Sequence, residues 1–169
     1  MEGAFRARSA LTRPARSRPS FSTCTTQVLH SLSWAMLKEK DSRDAPTIES
    51  YFSRAVKLRR EAHNDRLAAE SCNGLGHFFH QQGKACADAD EAFEWWRRSA
   101  EQLRQSIDRR MEAAPFSADL AQSLTSLGEL QLDTATRAAE LEQRGEGDER
   151  DLASSPGQAI GTLYEACSL

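Results

Sequence analysis

The chain of 169 residues is long enough for one ordinary domain with a tail, and 39% of its residues are hydrophobic. No run of 18 apolar residues occurs, which predicts that the protein has no membrane span. The formal net charge of −3 divides into +4 over residues 1–23 (five arginines, one glutamate) and −7 over the remainder (17 basic, 24 acidic), and an acidic body argues against nucleic acid as a partner.

The first segment is basic, and no acidic residue lies between Glu2 and Glu39. Its Arg-, Ser- and Ala-rich composition is typical of an organelle transit peptide. We therefore predict a disordered leader over residues 1–25 and a mitochondrial protein, with the plastid as the second choice. The alternatives are a basic disordered tail or a start site assigned too far upstream, and the protein would then be cytoplasmic.

Beyond the leader, Ala, Leu, Glu, Gln and Arg dominate and strand-type alternation is missing, which predicts helices throughout. The first helix, residues 26–40, has an apolar stripe that we expect to be buried: Val28, Leu32 and Ala35, flanked by Leu29 and Met36. The second helix, residues 47–62, has these apolar positions: Ile48, Phe52, Ala55 and Leu58.

Capping residues mark the next two helices. Asn64 and Asp65 are suited to begin a third helix, which we expect to end at Gly83 in a left-handed conformation. Asp88 and Glu91 have the spacing of a capping box, which predicts a fourth helix after them.

The C-terminal part predicts two more helices with an insert between them. Ser117 precedes a fifth helix over residues 118–143, and the charged, glycine-bearing segment at about 144–155 is expected to be an exposed insert. Ser155, Pro156 and Gln158 then supply an N-cap, a proline at the first helical position and the partner three residues after the cap. The sequence thus predicts six helices in three consecutive hairpins, an all-α fold.

Parts of the hairpins repeat. Residues 71–79 and 123–131 share the pattern S-x-x-x-L-G, and each copy is followed by a helix with apolar or small residues at spacings of four and three. These residues are Ala92, Trp96 and Ser99 in one copy and Ala159, Leu163 and Ala166 in the other. Such self-similarity predicts an α-solenoid, in which each hairpin buries its apolar face against its neighbours.

The middle hairpin resembles the tetratricopeptide repeat, and it is most similar to the longer-period variant of kinesin light chains. The family's first helix has a bulky residue, Leu-Gly and an aromatic residue, and its second helix has Ala, an aromatic residue and Ala. The matching residues here are Cys72, Leu75, Gly76 and Phe79, followed by Ala92, Trp96 and Ser99. The resemblance implies three antiparallel hairpins over residues 26–169 and a concave groove that binds peptides.

The sequence departs from the family pattern in three ways. Four residues ("ACAD") are inserted in the middle hairpin and about nineteen in the last, and no proline closes a repeat. The bulky position is Cys72 in one copy and Leu124 in the other. We nevertheless expect Gly76 and Gly128 to allow close approach of a partner helix, because a glycine has no Cβ to block it.

A zinc site is one interpretation of residues 72–86, which contain C-x4-H-x2-H-x5-C. On a continuous helix, however, Cys72 and His77 lie about 140° apart and cannot bind the same ion. The four cysteines also lack CxxC spacing, which favours reduced thiols. We therefore predict no metal and no cofactor.

The third helix has a polar face formed by residues at helical spacing: Glu70, Asn73, His77, His80 and Gln81. The family resemblance implies that this face lines the groove, so that Asn73 and His77 would contact a ligand, together with His80 and Gln81. The matching positions of the third repeat are Gln122, Thr125 and Glu129. Neither set contains Lys or Arg, which argues against an acidic C-terminal tail as the ligand. The alternative is an ordinary solvated face.

The segment "WWRR", residues 95–98, has the residue types that stack on bases and contact phosphates. The repeat pattern commits Trp96 to the core, and glutamates surround the arginines, so that nucleic-acid binding is disfavoured. Trp95 is a candidate anchor for a partner protein.

We predict a noncatalytic adaptor or assembly scaffold, since the sequence has no Gly-rich phosphate loop, GxSxG or HExxH motif. Its ligand would be a protein or peptide, bound as a peptide or helix in the concave groove. The alternative is a structural subunit lodged permanently in an organellar complex. Self-association through the ends of the repeat array is a further expectation.

Overall fold

The computed structural model describes residues 21–39 and 44–143, and within these ranges the chain forms five α-helices and no β-strand. They are α1 (Phe21–Glu39), α2 (Ala45–Glu61), α3 (Asp65–Ala85), α4 (Ala89–Ala113) and α5 (Ala118–Gln143). The prediction of an all-α fold is confirmed. Helix α1 begins inside the segment 1–25 that we assigned to the leader. Residues 1–20, the insert at 144–155 and the sixth predicted helix lie outside the described residues.

Each helix packs against the next one along the chain, and the interface between α3 and α4 is the most extensive. Helix α3 also touches α1 and α5. The helices therefore form two rows, with α1, α3 and α5 in one row and α2 and α4 in the other, as in an α-solenoid of helical hairpins. Among the described helices, none combines the length and the hydropathy that a membrane span requires.

Side chains at the helix starts make the bonds that the sequence predicts. The Asn64 side chain accepts a hydrogen bond from Leu67 N at 3.1 Å, and the Asp88 side chain accepts one from Glu91 N at 2.8 Å. Ser117 Oγ likewise accepts from the backbone N–H of residue 120 at 3.1 Å. Each bond satisfies an N–H group that the first helical turn leaves without a partner.

The prediction for Gly83 is wrong. Helix α3 continues to Ala85, so Gly83 is a helical residue and not a left-handed C-terminal residue. A Cβ at Gly83 would overlap the Trp96 indole and lie 3.0 Å from the Ala92 carbonyl oxygen. Glycine is therefore needed here because α4 approaches closely, and the local sequence does not reveal that approach.

The close approach predicted at Gly76 is confirmed. A Cβ there would lie 2.8 Å from Leu103 Cγ, and the Ser99 hydroxyl donates to the Gly76 carbonyl oxygen at 2.7 Å. Gly128 is exposed, and a Cβ there would meet none of the described residues within 4 Å; the helix predicted to approach it lies outside the described residues.

The stripe that we expected α1 to bury is exposed. Val28 is 63% and Leu32 41% exposed, whereas the polar residues His30 and Ser33 are buried. On the buried side, His30 Nδ1 lies 3.3 Å from Ser71 Oγ of α3. Trp34 and Leu37 pack against the apolar cluster that contains Ile48 and Phe52 of α2, so this side of α1 makes both polar and apolar contacts.

A buried arginine links α2 to α3. Arg59 is 1% exposed and donates to the Leu67 carbonyl oxygen at 2.8 Å and to Ser71 Oγ at 2.6 Å. It also donates to Glu70 at 3.3 Å and to Gln27 of α1 at 2.9 Å. The guanidinium therefore joins three helices and is extensively hydrogen-bonded, as a buried charge requires.

A second buried arginine links α4 to α5 in the same way. The buried Arg110 donates to the carbonyl oxygen of Asp119 and, at 2.7 Å, to Ser123 Oγ. The acceptor Ser123 follows Ser71 by 52 residues, the same interval that separates the two S-x-x-x-L-G segments. The internal repeat therefore extends from the sequence pattern to the hydrogen bonds between helices.

Candidate protein-binding groove

The polar face of α3 is only partly accessible. Asn73 is 6% exposed, and its side-chain oxygen accepts a hydrogen bond from Ser123 Oγ of α5 at 2.9 Å. Ser123 Oγ also lies 2.9 Å from Ser106 Oγ of α4. Asn73 thus belongs to a buried polar network that joins α3, α4 and α5, and it lies beneath the surface that a ligand would contact.

His80 is also buried, and Asp133 of α5 holds it in place. His80 Nε2 donates to Asp133 Oδ2 at 2.7 Å, and Lys84 Nζ donates to the same oxygen at 2.9 Å. Burial lowers the pKa of His80 more than Asp133 raises it, so the imidazole is a neutral donor at pH 7. Partial burial opposes ionisation of Asp133, but the hydrogen bonds from Lys84 and His80 hold its pKa below the ordinary value.

His77 lies between these buried groups and α1. Its ring stacks on Trp34 of α1, with the ring centroids 5.4 Å apart and the planes tilted by 31°. Burial is the main cause that lowers the pKa of His77, and the neighbouring His80 lowers it further. A neutral imidazole on an indole ring forms one wall of a cleft between α1 and α3.

That cleft is a groove of about 670 Å³, formed by the C-terminal ends of α1 and α3 and the start of α2. We call it the α1–α3 groove. Its apolar lining consists of Trp34, Met36, Leu37, Ala45, Ile48 and Ala85. Its polar lining consists of Lys38, His77, Gln81, Gln82 and Lys84. The volume is in the range of pockets that bind small molecules or a few side chains of a peptide.

Of the sequence-predicted site residues, His77 and Gln81 line this groove together. The prediction missed its two lysines, and Lys84 follows His77 by seven residues, so the helical period places both on one face. It also missed Trp34, because we assigned the buried side of α1 to the wrong stripe. The groove is therefore lined by two lysines that the predicted polar face lacked, of which Lys84 is paired with Asp133.

The two predicted residues of α5 lie beside α3. Thr125 and Glu129 are exposed, and Glu129 is close enough to His77 and His80 to favour their charged forms electrostatically. Thr125 precedes Glu129 by one helical turn, and its hydroxyl donates to the backbone of its own helix at 2.9 Å. The row formed by α1, α3 and α5 therefore presents a set of polar residues on one side: His77, Gln81, Thr125 and Glu129.

Trp95 lies elsewhere. It is half-buried and packs against Phe79, with the ring centroids 5.7 Å apart. The Arg98 guanidinium lies 4.0 Å from the Phe79 ring centre and 4.7 Å from that of Trp95. Because Phe79 lies about 200° around α3 from His77, Trp95 and the α1–α3 groove are on different sides of the helix.

The thiol and imidazole groups of residues 72–86 do not converge. Cys72 is fully buried, and burial raises the pKa of its thiol. Among the described residues, no group of three or more His, Cys, Asp or Glu side chains is placed to hold a metal ion.

Comparison with known proteins identifies no relative: no protein-family model, curated protein or solved structure matches the chain.

Proposed function

We propose that the protein is a noncatalytic adaptor or assembly scaffold that binds an apolar peptide or a short helix in the α1–α3 groove. The observation that carries this proposal is the combination of an open groove of about 670 Å³ with aromatic and aliphatic lining residues. Apolar anchors of a ligand would bury surface against Trp34, Leu37 and Ile48. Gln81 and the two lysines at the rim would fix its orientation by hydrogen bonds or charge.

The resemblance to the tetratricopeptide repeat supports binding by the row formed by α1, α3 and α5, but two features limit this support. The spacing of 52 residues between Ser71 and Ser123 exceeds the 34 residues of the family repeat. In addition, Asn73 is buried, although the resemblance implies that it contacts ligands. The proposal therefore depends on the groove and its lining residues.

A display library of random 16-residue peptides, selected on the full chain, provides the probe. Gln81→Trp fills the groove from an exposed position, and Glu94→Trp is the matched control on the exposed side of α4. We expect Gln81→Trp to raise the Kd of a selected peptide by roughly tenfold or more, and Glu94→Trp to leave it within about twofold. Failure to select any peptide, or equal Kd values for both variants, would contradict the proposal.

A second candidate function is a structural subunit of an organellar complex. The observation that favours it is the exposed stripe of α1, where Val28 and Leu32 face away from the helices described. If the stripe is an interface, the wild-type chain should associate or aggregate when it is produced alone. The double variant Val28→Lys, Leu32→Lys should then be monomeric and should fail to assemble with the complex. A wild-type chain that sediments as a monomer without aggregation would favour the adaptor.

Mitochondrial targeting forms part of both proposals and rests on residues 1–25. A fluorescent reporter fused after the full chain should enter mitochondria, and replacement of the five leader arginines by glutamine should leave it in the cytosol. A reporter whose distribution does not change on that replacement would remove the organelle from the proposal.

A further inference from the structure

The turn between α4 and α5 presents a fully exposed aromatic residue. Helix α4 ends at Ala113 and α5 begins at Ala118, and Phe116 in the turn between them is 101% exposed. Residues 111–116 are all exposed, and only one of them, a glutamate, is polar. A single exposed apolar residue is ordinary, but a contiguous apolar patch indicates an interaction site. We call residues 114–117 the Phe116 turn.

The Phe116 turn is ordered at both ends. The Ser117 backbone N–H donates to the Ala114 carbonyl oxygen at 3.2 Å, which closes a four-residue turn with Pro115 at its second position. Ser117 Oγ in addition accepts the hydrogen bond from Leu120 N that caps α5. The proline ring fixes one backbone angle of the turn. Because the backbone is already ordered, binding of Phe116 by a partner costs little conformational entropy.

Acidic residues flank the Phe116 turn. Glu112 and Asp119 are exposed, and residues 111–127 contain no lysine or arginine. Of the two arginines that precede this segment, Arg109 is paired with a carboxylate of α3, and Arg110 is buried. The turn therefore presents an apolar anchor between two negative charges.

The α1–α3 groove has the complementary character. Its apolar lining includes Trp34, Leu37 and Ile48, and its charged lining consists of Lys38 and Lys84. No acidic side chain of the described residues lines it. A volume of about 670 Å³ is enough for an aromatic ring and its neighbouring side chains. The groove therefore matches the Phe116 turn in both hydropathy and charge.

The turn and the groove lie at opposite ends of α3. Gly83, near the end of α3, lies against Ala92 near the start of α4, and Arg109, near the end of α4, pairs with Asp65 at the start of α3. The Phe116 turn follows α4, so it lies at the end where α3 begins, whereas the groove lies where α3 ends. Helix α3 has 21 residues and is about 32 Å long. The turn therefore cannot enter the groove of its own molecule.

We propose that the α1–α3 groove binds the Phe116 turn of a second copy of the chain. The Phe116 ring would contact the apolar lining, and Glu112 would lie near the lysines of the rim. This inference rests on the proposed function, because it names the chain itself as a source of the apolar peptide. Each dimer keeps one unused groove and one unused turn, so that association continues into open chains.

The affinity should be low because the contact is small. A single aromatic anchor in a groove gives a Kd on the order of 100 µM, so the chain should be monomeric at about 1 µM. In sedimentation velocity, we expect the wild-type chain to associate progressively between about 10 µM and about 1 mM.

Two variants that remove opposite halves of the contact test the proposal in the full chain. Phe116→Ser removes the anchor and leaves the groove intact, whereas Gln81→Trp fills the groove and leaves the anchor intact. For each variant alone, we expect the Kd of self-association to rise at least about tenfold. An equimolar mixture should regain the wild-type affinity but form only a dimer with one molecule of each variant, because both of its remaining ends are blocked.

Two controls separate this contact from other causes of association. Glu94→Trp adds an exposed tryptophan on α4, outside the groove lining, and should associate like the wild type. The double variant Val28→Lys, Leu32→Lys should also associate like the wild type, because α1 presents these residues outside the groove lining. Since Phe116 is fully exposed, Phe116→Ser should keep its Tm within about 2 °C of the wild-type value.

Three results would overturn the inference: a wild-type chain that is monomeric at about 1 mM, a Phe116→Ser variant that associates like the wild type, or a mixture without the mixed dimer. If selected peptides nevertheless bind the groove and Gln81→Trp weakens them, the proposed function stands and the groove takes a partner other than a second copy. If no peptide is selected either, both proposals fail.

Discussion

The substitution Gly83→Ala tests the close packing of α3 against α4. The added Cβ would overlap the Trp96 indole, which is 4% exposed and therefore has little room to move. Trp96 Nε1 also donates to the His80 carbonyl oxygen at 3.2 Å, so displacement of the ring would break a buried hydrogen bond. A single methyl group should thus disturb the centre of the α3–α4 interface.

The expected magnitude follows from three contributions. Overpacking costs about 1–3 kcal/mol and loss of the hydrogen bond costs about 1 kcal/mol. Alanine is a better helix former than glycine by about 1 kcal/mol, which offsets part of this cost. We therefore expect the free energy of unfolding to fall by about 1–3 kcal/mol, measured by urea denaturation with an unchanged m-value.

A double-mutant cycle with Trp96→Ala identifies the cause. Alanine removes the indole atoms Nε1 and Cδ1 that the new methyl group would overlap, so the double variant should be more stable than the sum of the single effects predicts, by about 1 kcal/mol. A left-handed Gly83 would also make Gly83→Ala destabilising, but Trp96→Ala would not relieve it. Additive effects, or a stabilising Gly83→Ala, would refute the packing explanation.

The remaining predictions concern a buried charge, protonation and thiol reactivity. Arg59→Ala should lower the free energy of unfolding by about 2–3 kcal/mol, because buried acceptors lose their donor, whereas the exposed control Arg97→Ala should change it by less than about 0.5 kcal/mol in urea denaturation. Stability should fall as the pH drops through about 6.5, because burial depresses the pKa of His80 in the folded protein and the unfolded chain then binds protons first. In melts between pH 7.5 and about 5, His80→Gln should flatten this dependence, and an unchanged slope would contradict the assignment. In the native protein, a thiol reagent should modify the exposed Cys24 quickly and the buried Cys72, whose pKa burial raises, only on unfolding; equal rates would argue against that burial.

The starts of α3 and α4 were predictable because their signals are local. Asn64 and Asp88 accept hydrogen bonds from N–H groups three residues later, as their capping positions predict, and Ser117 makes the same bond at the start of α5. Gly83 shows the limit of such reasoning. A glycine near the end of a helical pattern usually ends the helix, but here the contact that requires glycine comes from Trp96, thirteen residues later.

The buried side of α1 was not predictable from its own hydropathy. Val28 and Leu32 form the more apolar stripe, yet His30 and Ser33 are buried. The buried side is held by His30, which lies 3.3 Å from Ser71, 41 residues away, and by Trp34, which packs with the cluster that contains Phe52. No pattern within α1 contains that information, so contacts with other helices decide which side of the helix is buried.

The candidate site was predictable only in part, because contacts between helices decide which residues of a face are accessible. The helical period correctly grouped His77 with Gln81, which share the α1–α3 groove. The period also grouped Asn73 and His80 with them, but Ser123 and Asp133 of α5 hold these two residues in the interface between the helices. Accessibility depends on what the neighbouring helix supplies, and so it cannot be inferred from one face alone.

The two buried arginines explain how the helices keep their relative positions. Apolar contacts alone specify the register between two helices weakly, because a shifted helix can place another leucine in a similar gap. Arg59 and Arg110 each bond to one backbone carbonyl and one serine hydroxyl of the next helix, so that a shift by one turn would leave a charge buried without its partners. In the sequence, each of the two residues belongs to an Arg-Arg pair within a helix. Such a pair usually indicates a solvent-exposed position, so the sequence does not show that one arginine of each pair is buried. Their serine partners, 52 residues apart, are part of the S-x-x-x-L-G repeat. The repeated residues therefore include the serines whose polar contacts fix the register between neighbouring helices, while the apolar clusters supply most of the stability of the fold.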